Sequence, residues 1–249
     1  MTTNNENTVL KECALHEPCS YIAGNSQSIH YKVIQECTKE QCEALILRGW
    51  RRFGSMYFRP ICSDCHACES LKIDVDNYTF SKSERRILRK NSHLKTIIRH
   101  PTLTREHLSL FERYHTYKHL TRSWDAPKSD PKNYYASFVQ GHGDFGFEIL
   151  YFDSDKLIAV DLIDILEEGI SALYCFYDPD YASYSLGRYT LLQQIEFARQ
   201  LDLKWIYLGY YVQGCQSLAY KATYNPSLQL SGRPEEDEMP IWNPLPIFR

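Results

Sequence analysis

Long apolar runs are missing. Nothing in the 249 residues approaches the roughly 20 consecutive apolar positions that span a bilayer. Glycine and proline are sparse, eleven of each, which excludes collagen-like and low-complexity chains. The opening residues Met1–Leu10 are polar and lack the basic stretch and apolar core of a secretory signal, so a cytoplasmic protein is expected. Net charge is only −3 while 43% of residues are hydrophobic, which excludes a largely disordered chain. What remains is an ordinary globular protein of one large domain or two small ones, long enough to bury a core.

Cysteine is plentiful, but its number, nine, is odd, and in a reducing compartment that argues against a disulfide framework. Seven of the nine precede residue 70, and three fall at strict spacing, Cys62-Ser-Asp-Cys65-His-Ala-Cys68. Thiolates so spaced can grip one ion, because a tight turn brings both sulfurs to one point. Three need a fourth ligand, and Cys19 is the first choice. Zinc and an iron–sulfur cluster both suit the set; so does plain packing of buried thiols. Cys37, Cys42, Cys175 and Cys215 read as core residues.

The small net charge hides an asymmetry. Between Arg48 and Arg99 there are twelve Lys and Arg against five Asp and Glu, and the rest of the chain is acidic. Arg48, Arg51, Arg52 and Arg59 alternate with Trp50, Phe53, Tyr57 and Phe58. Lys82, Arg85, Arg86, Arg89 and Lys90 follow at helical spacing. Such a face suits phosphates, and interleaved aromatics suit unpaired bases; a solvated basic helix is the plainer alternative.

Residues 1–17 are expected to be disordered, 18–100 to form a small Cys-rich basic domain, 101–230 a transferase-like domain, and 231–249 a loop-like tail. Helices are predicted over Glu40–Gly49, from the N-cap Ser81 with Glu84 at capping-box spacing, over Thr104–His119, over Asp130–Val139 with Pro131 first, and over Ser185–Leu201. Strands are predicted over Gly54–Arg59, Leu71–Val75, Phe147–Phe152, Leu157–Leu166, Ile170–Tyr177 and Lys204–Tyr211. Gln213–Lys221 reads as a short helix. The class is α+β, and the β-β-β-α-β-α order of the second half also occurs in N-acetyltransferase-type (GNAT-like) folds with a mixed, mostly antiparallel sheet. Those that use coenzyme A carry a [Q/R]-x-x-G-x-[G/A] phosphate loop. Here the matching turn, Tyr184-Ser-Leu-Gly187-Arg-Tyr189, keeps only the middle glycine, which disfavours that donor.

Together, Cys19-Ser-Tyr, Tyr57-Phe-Arg59-Pro-Ile-Cys-Ser-Asp-Cys-His-Ala-Cys68 and Ser81-Lys-Ser-Glu-Arg85-Arg86 resemble the N-terminal half of the aminoacyl-tRNA–protein transferase family. Ser171-Ala-Leu-Tyr-Cys-Phe-Tyr-Asp-Pro179, Ser185-Leu-Gly187, Tyr207-Leu-Gly-Tyr-Tyr211 and Ala219-Tyr-Lys221 resemble its C-terminal half, in the right order. The length and cysteine spacing are similar to the bacterial, leucyl-transferring branch. One departure is visible: Lys118-His119 is followed by LTRSWDAP, where many bacterial members have a glycine-rich stretch.

The resemblance implies transfer of an amino acid from a charged tRNA, leucyl-tRNA in this branch, to the N-terminal amine of proteins beginning with Asp or Glu, creating a degradation signal. No cofactor is needed for the chemistry; zinc or an iron–sulfur cluster at Cys19, Cys62, Cys65 and Cys68 is the expected accessory. The reaction is aminolysis of an activated ester, so proximity and charge placement are its main needs. Lys221 is the expected cation for the acceptor's acidic side chain, and Asp178 the expected holder of the incoming ammonium. Tyr177, Tyr207, Tyr210 and Tyr211 are candidates to line the aminoacyl pocket. Arg59, Arg85, Arg86, Arg89 and Lys90 are expected on tRNA phosphates, with Ser185 and Gly187 opening a helix toward them. His115 and His119 read as structural or substrate-edge residues. Membrane and DNA are not expected partners. An arginyl donor, and a non-catalytic zinc-stapled RNA-binding protein, remain as alternatives.

Overall fold

The computed structural model describes residues 9–122, 124–126 and 130–245. The chain begins with β1 (Val9–Pro18), β2 (Ser26–Ile34), α1 (Lys39–Leu47), β3 (Arg51–Phe53), β4 (Met56–Pro60), β5 (Glu69–Asp74), α2 (Lys82–Lys90) and β6 (Lys95–Arg99). It continues with α3 (Arg105–Arg122), α4 (Pro131–Tyr134), β7 (Gly146–Asp153), β8 (Lys156–Ile165), β9 (Gly169–Tyr177), α5 (Leu186–Gln200), β10 (Trp205–Tyr211), β11 (Ser227–Leu230) and β12 (Trp242–Pro244). Two sheets result, a four-stranded one in the order β1-β2-β4-β3 and an eight-stranded one in the order β12-β11-β5-β10-β9-β8-β7-β6. Every neighbouring pair in the large sheet is antiparallel except β9 and β10.

Local chemistry sets the helix starts. Thr38 and Ser81 each accept a bond from the backbone three residues on, and Gln41 and Glu84 return it, closing two capping boxes. Asp130 caps α4, which carries Pro131 in its first turn and widens into a π-turn over Tyr135–Val139. β8 is buried from Leu157 to Asp164, because helices cover both faces of the sheet there. On one face α5 buries Leu186, Leu191, Leu192, Ile195 and Ala198 against Ile158, Ile163 and Ile206. On the other, Leu110 and Tyr114 of α3 and Tyr134 pack on Leu150, Val160, Leu162 and Phe176. A third cluster joins the small sheet and α1 to the large one through Trp50, Tyr57, Phe145, Leu166 and Tyr207.

Several expectations need correction. Residues 9–17, expected to be disordered, form most of β1, which β2 pairs along its length. Residues 231–249 are not all loop: β12 closes the edge of the large sheet against β11. Gln213–Lys221 is not a helix; only a 3-10 turn, Ala219–Thr223, forms there. The segment 18–100 lends β5 and β6 to the large sheet, since the hydrophobic face of β5 is buried only between β10 and β11. Among the described residues no helix is long and apolar enough to cross a membrane.

One buried ion pair locks the two sheets together. Arg52 on β3 donates from Nε to Asp164 Oδ2 on β8 at 2.8 Å, and from Nη1 to the Gly54 and Gly141 carbonyls, with both side chains at most 3% exposed. Removing one partner strands a buried charge. Arg52→Leu should therefore lose about 3–5 kcal/mol in urea unfolding. The double change with Asp164→Leu should recover most of that loss.

Candidate active site

β9 and β10 pair at only three positions, Trp205↔Gly169, Ile206↔Ile170 and Tyr207↔Ser171, and then part. Arg51 of β3 occupies the fork. Its Nη1 donates to Ser171 Oγ at 3.1 Å, and its Nη2 donates to the Ala172 carbonyl, just past the last paired residue of β9. Gly209 makes room on the other side. It adopts a left-handed φ of +73°, and a Cβ there would lie 2.7 Å from Arg51 Nε. The register of β10 against β5 slips at the same place, between Tyr207 and Gly209. A guanidinium thus takes a hydrogen-bonding place at β9 that a continued ladder would have used.

A second cation reaches the opening, and a third lies at the far end of β9. Lys221 donates from Nζ to the Tyr210 carbonyl at 2.8 Å. Burial, with the nearby Arg51 charge, pulls its amine down to about 7. Lys118 on α3 lies 5.1 Å over the Tyr114 ring, 5.7 Å over Tyr177 and 5.9 Å over Trp124. Burial, then Arg122, lowers its pKa too. Among the described residues, Arg51, Lys118 and Lys221 have no carboxylate within salt-bridge distance. Elsewhere Arg52, Arg99, Arg113 and Lys156 are each paired with a buried Asp or Glu. Lys72 is a fourth lone amine, but it sits 3.7 Å over Trp205 and 4.7 Å over Trp242, away from the fork. The fork thus gathers the Arg51 guanidinium and the Lys221 amine with no carboxylate of the described residues paired to either.

Two polar pairs on the α3 and α5 sides of the sheet, His115 with Tyr174 and Gln194 with Asp161, are not visible as pairs in the sequence. Tyr174 and His115 stack at 12°, and the Tyr174 hydroxyl meets His115 Nε2 at 2.8 Å. His115 Nδ1 is 2.8 Å from the Phe111 carbonyl and must donate to it, so Nε2 accepts from the tyrosine. Burial lowers its pKa, favouring the neutral ring. His119 instead bonds the Trp124 carbonyl. Toward α5, Asp161 is buried and pushed up to about 7 by that burial, with Gln194 donating to it at 2.7 Å.

Of the residues singled out in the sequence, Tyr177 ends the β9 arm of the fork, Tyr211 ends the β10 arm, and Lys221 bonds that arm at the Tyr210 carbonyl. Gly187 packs against Tyr177, where a Cβ would approach Cε1 to 3.1 Å. Ser185 takes a left-handed φ of 55°, and no side chain caps the helix there. Asp178 is not positioned to hold an ammonium. It is fully buried; its Oδ1 caps Asp180, and its Oδ2 takes Arg113 at 2.6 Å and Lys156 at 2.8 Å. Burial alone would raise its pKa, but those two hydrogen-bonded cations hold it below the usual carboxylate range. Tyr207 and Tyr210 do not line a pocket either: both are buried, one donating to Glu43 and the other to the Gly49 carbonyl. Arg59 is 3% exposed, bonded to the Pro234 carbonyl and Glu235 and stacked on Trp50, so it is closed to phosphates. Arg85, Arg86, Arg89 and Lys90 are exposed on α2. Lys90 donates to the Ser183 carbonyl at 2.7 Å, setting this basic helix beside the start of α5.

Cys19, Cys62, Cys65 and Cys68 are half-buried free thiols. Burial pushes Cys68 up to about 12, helped by Cys19, Cys62 and Cys65 close by. The Ser28 N–H donates to Cys62 Sγ at 3.3 Å and the Tyr21 N–H to Cys19 Sγ at 3.5 Å. Arg233 braces the loop through the Cys62 and Cys65 carbonyls. Among the described residues, no three Cys, His, Asp or Glu side chains form a ready ligand set.

The family models for arginine-tRNA-protein transferase match this chain twice, the N-terminal model over residues 17–86 and the C-terminal model over residues 106–231. A curated protein of Campylobacter jejuni subsp. jejuni serotype O:6, named aspartate/glutamate leucyltransferase, is 48% identical over 92% of this chain and 97% of its own length. One of the same name from Helicobacter hepaticus is 38% identical over 90% of this chain and 93% of its own. Among solved structures FemX covers 82% of this chain and 80% of its own at 8% identity, with a TM-score of 0.46.

The Lys221 amine is expected to be acylated near neutral pH ahead of ordinary lysines. Competitive labelling followed by mass spectrometry should give it a titration midpoint near 7. A midpoint above 10 would show that its charge is not displaced.

Proposed function

We propose, for a chain that belongs to the arginine-tRNA–protein transferase family, that it moves leucine from leucyl-tRNA to the N-terminal amine of proteins beginning with Asp or Glu. The protein is an aminoacyltransferase, with an aminoacyl-tRNA as donor and a protein as acceptor. The leucyl donor and acidic acceptors rest on how its relatives are named. The new N-terminal leucine would serve as a degradation signal. Charged tRNA is cytoplasmic, so the reading places the protein there. We read β7–β9, the crossover α5 and the parallel β10 as an acetyltransferase-like core, on the support of the single parallel pair and its fork.

The observation that carries the reading is the two unpaired cations at the fork, Arg51 and Lys221, with Lys118 over Tyr177 at the end of β9. An acceptor's side-chain carboxylate supplies the charge they lack, with Lys221 and Arg51 its nearest partners. The same field repels the acceptor's α-ammonium and so favours the neutral amine, whose reference pKa is about 7.7–8.0. No carboxylate is needed to hold that nitrogen, in keeping with a neutralised Asp178. The amine nitrogen attacks the ester carbonyl, the peptide bond forms, and the ester C–O bond breaks. The tRNA leaves as its terminal ribose alcohol, which takes up the proton the amine gives. Holding both reactants in the cleft supplies much of the acceleration. We assign the tRNA to Arg85, Arg86, Arg89 and Lys90 with Ser185 and Gly187; the exposure of those α2 cations beside the start of α5 supports this.

We extend the reading to the cysteines: Cys19, Cys62, Cys65 and Cys68 hold zinc or an iron–sulfur cluster. Burial first, and then the neighbouring Cys19, Cys62 and Cys65, raises Cys68, a thiolate penalty that a bound cation relieves, and the two N–H···S bonds are those that steady a ligating thiolate. The group would staple the loop; no step of the transfer passes through it.

Three outcomes are expected. Label from leucyl-tRNA, and not from arginyl-tRNA, should appear on peptides that begin with Asp or Glu and not on a Met peptide; transfer from arginyl-tRNA alone would overturn the donor. Lys221→Met should raise KM for the Asp peptide about 30-fold, roughly the 2 kcal/mol of a lost charged hydrogen bond, and move the pH–rate midpoint toward the free amine's. Metal analysis of protein prepared without oxygen should find zinc or iron, and Cys68→Ser should lower that content.

A further inference from the structure

The segment that follows β9 into α5 carries a feature the cleft does not use. Tyr177, Tyr181 and Tyr184 recur along it, and each has a lysine ammonium over its ring. Lys118 lies 5.7 Å from the Tyr177 centroid, Lys156 5.1 Å from Tyr181, and Lys90 4.9 Å from Tyr184. The three lysines come from three elements far apart in sequence, α3, β8 and α2. The Tyr181 and Tyr184 rings are 5.2 Å apart, so the outer two pairs adjoin. The inner pair stands at the mouth of the fork, and the outer one at the basic end of α2.

We propose, on the aminoacyl-transfer reading above, that these three lysine–tyrosine pairs are a ladder for the unpaired 3′ end of the tRNA. Single-stranded RNA is held by cations on its backbone and by aromatic rings on its bases; the ladder offers three rings, with Lys90 and Lys118 free of any carboxylate among the described residues and Lys156 between them bonded to Asp178 at 2.8 Å. It runs from the helix that faces the duplex to the cleft where the ester must arrive. The negative charges beside it are mostly spent. Asp178 is shared by Arg113 and Lys156, and Asp153 accepts the Tyr181 hydroxyl at 2.9 Å, leaving Asp180 exposed. An acceptor protein presents one carboxylate to the fork and has no use for a row of rings leading away from it.

The test compares intact tRNA with tRNA trimmed of its unpaired 3′ nucleotides, by fluorescence anisotropy with the full chain. Tyr181→Leu and Tyr184→Leu should each weaken binding of intact tRNA roughly tenfold and leave binding of trimmed tRNA unchanged, the size of one lost base stack. Tyr181→Phe keeps the ring face but loses the bond to Asp153, and should bind as the unaltered protein does. Equal losses on both RNAs, or a defect in Tyr181→Phe as large as in Tyr181→Leu, would overturn the ladder. So would a raised peptide KM with unchanged RNA affinity, which would give the segment to the acceptor. Transfer from leucyl-tRNA by the unaltered protein is measured alongside; its absence would count against the donor while the binding comparison still decides the ladder.

Discussion

The fork between β9 and β10 depends on one side chain. Arg51 crosses from the small sheet to bond Ser171 and the Ala172 carbonyl, and the two strands can part there because β9 is not left with an unmet acceptor. An orphaned buried carbonyl would cost about 1–3 kcal/mol, enough to favour closing the ladder. Gly209 is the complementary constraint, since any side chain there would meet the guanidinium. The small sheet is therefore part of the site: it supplies the wedge that opens the large one.

The second theme is where charge is neutralised and where it is left. The fold pairs Asp164, Glu148 and Asp178 with arginine, lysine or histidine and buries them. It withholds that pairing from Arg51 and Lys221 at the fork and from Lys118 at the end of β9, and burial lowers the pKa of all three. Unpaired charge in a partly dry cleft is costly, and it is retained where a substrate completes it. The acidic run near the C-terminus meets the opposite fate. Glu235 lies on Arg59 and Glu236 on Lys32, so Arg59, which reads as a phosphate contact in the sequence, is engaged within the chain.

Much was legible in the residue order. The capping box at Ser81, Pro131 in the first turn of α4, and the apolar spacing of α5 are local signals, and each produced its helix. The β-β-β-α-β succession and the glycine of the fork lay in matched motifs. The roles of individual polar residues were less legible, because type and spacing do not reveal partners. Asp178 at a strand end looks the same whether it meets solvent or Arg113 and Lys156. Tyr207 and Tyr210 belong to a Tyr-rich strand whose hydroxyls happen to reach Glu43 and a carbonyl. Residues 9–17 carry no strong pattern, yet β2 offers them a pairing edge.

By itself the sequence determined the class, the β-β-β-α-β order from β7 to β10, the basic character of α2 and the family likeness, because these follow from local propensity, periodicity and motif. Only the tertiary structure decided which cations stay unpaired, that Arg51 opens the sheet, and that three lysines far apart in the chain come to lie over three neighbouring tyrosines. Those facts depend on distances between elements remote in sequence, and no local rule encodes them.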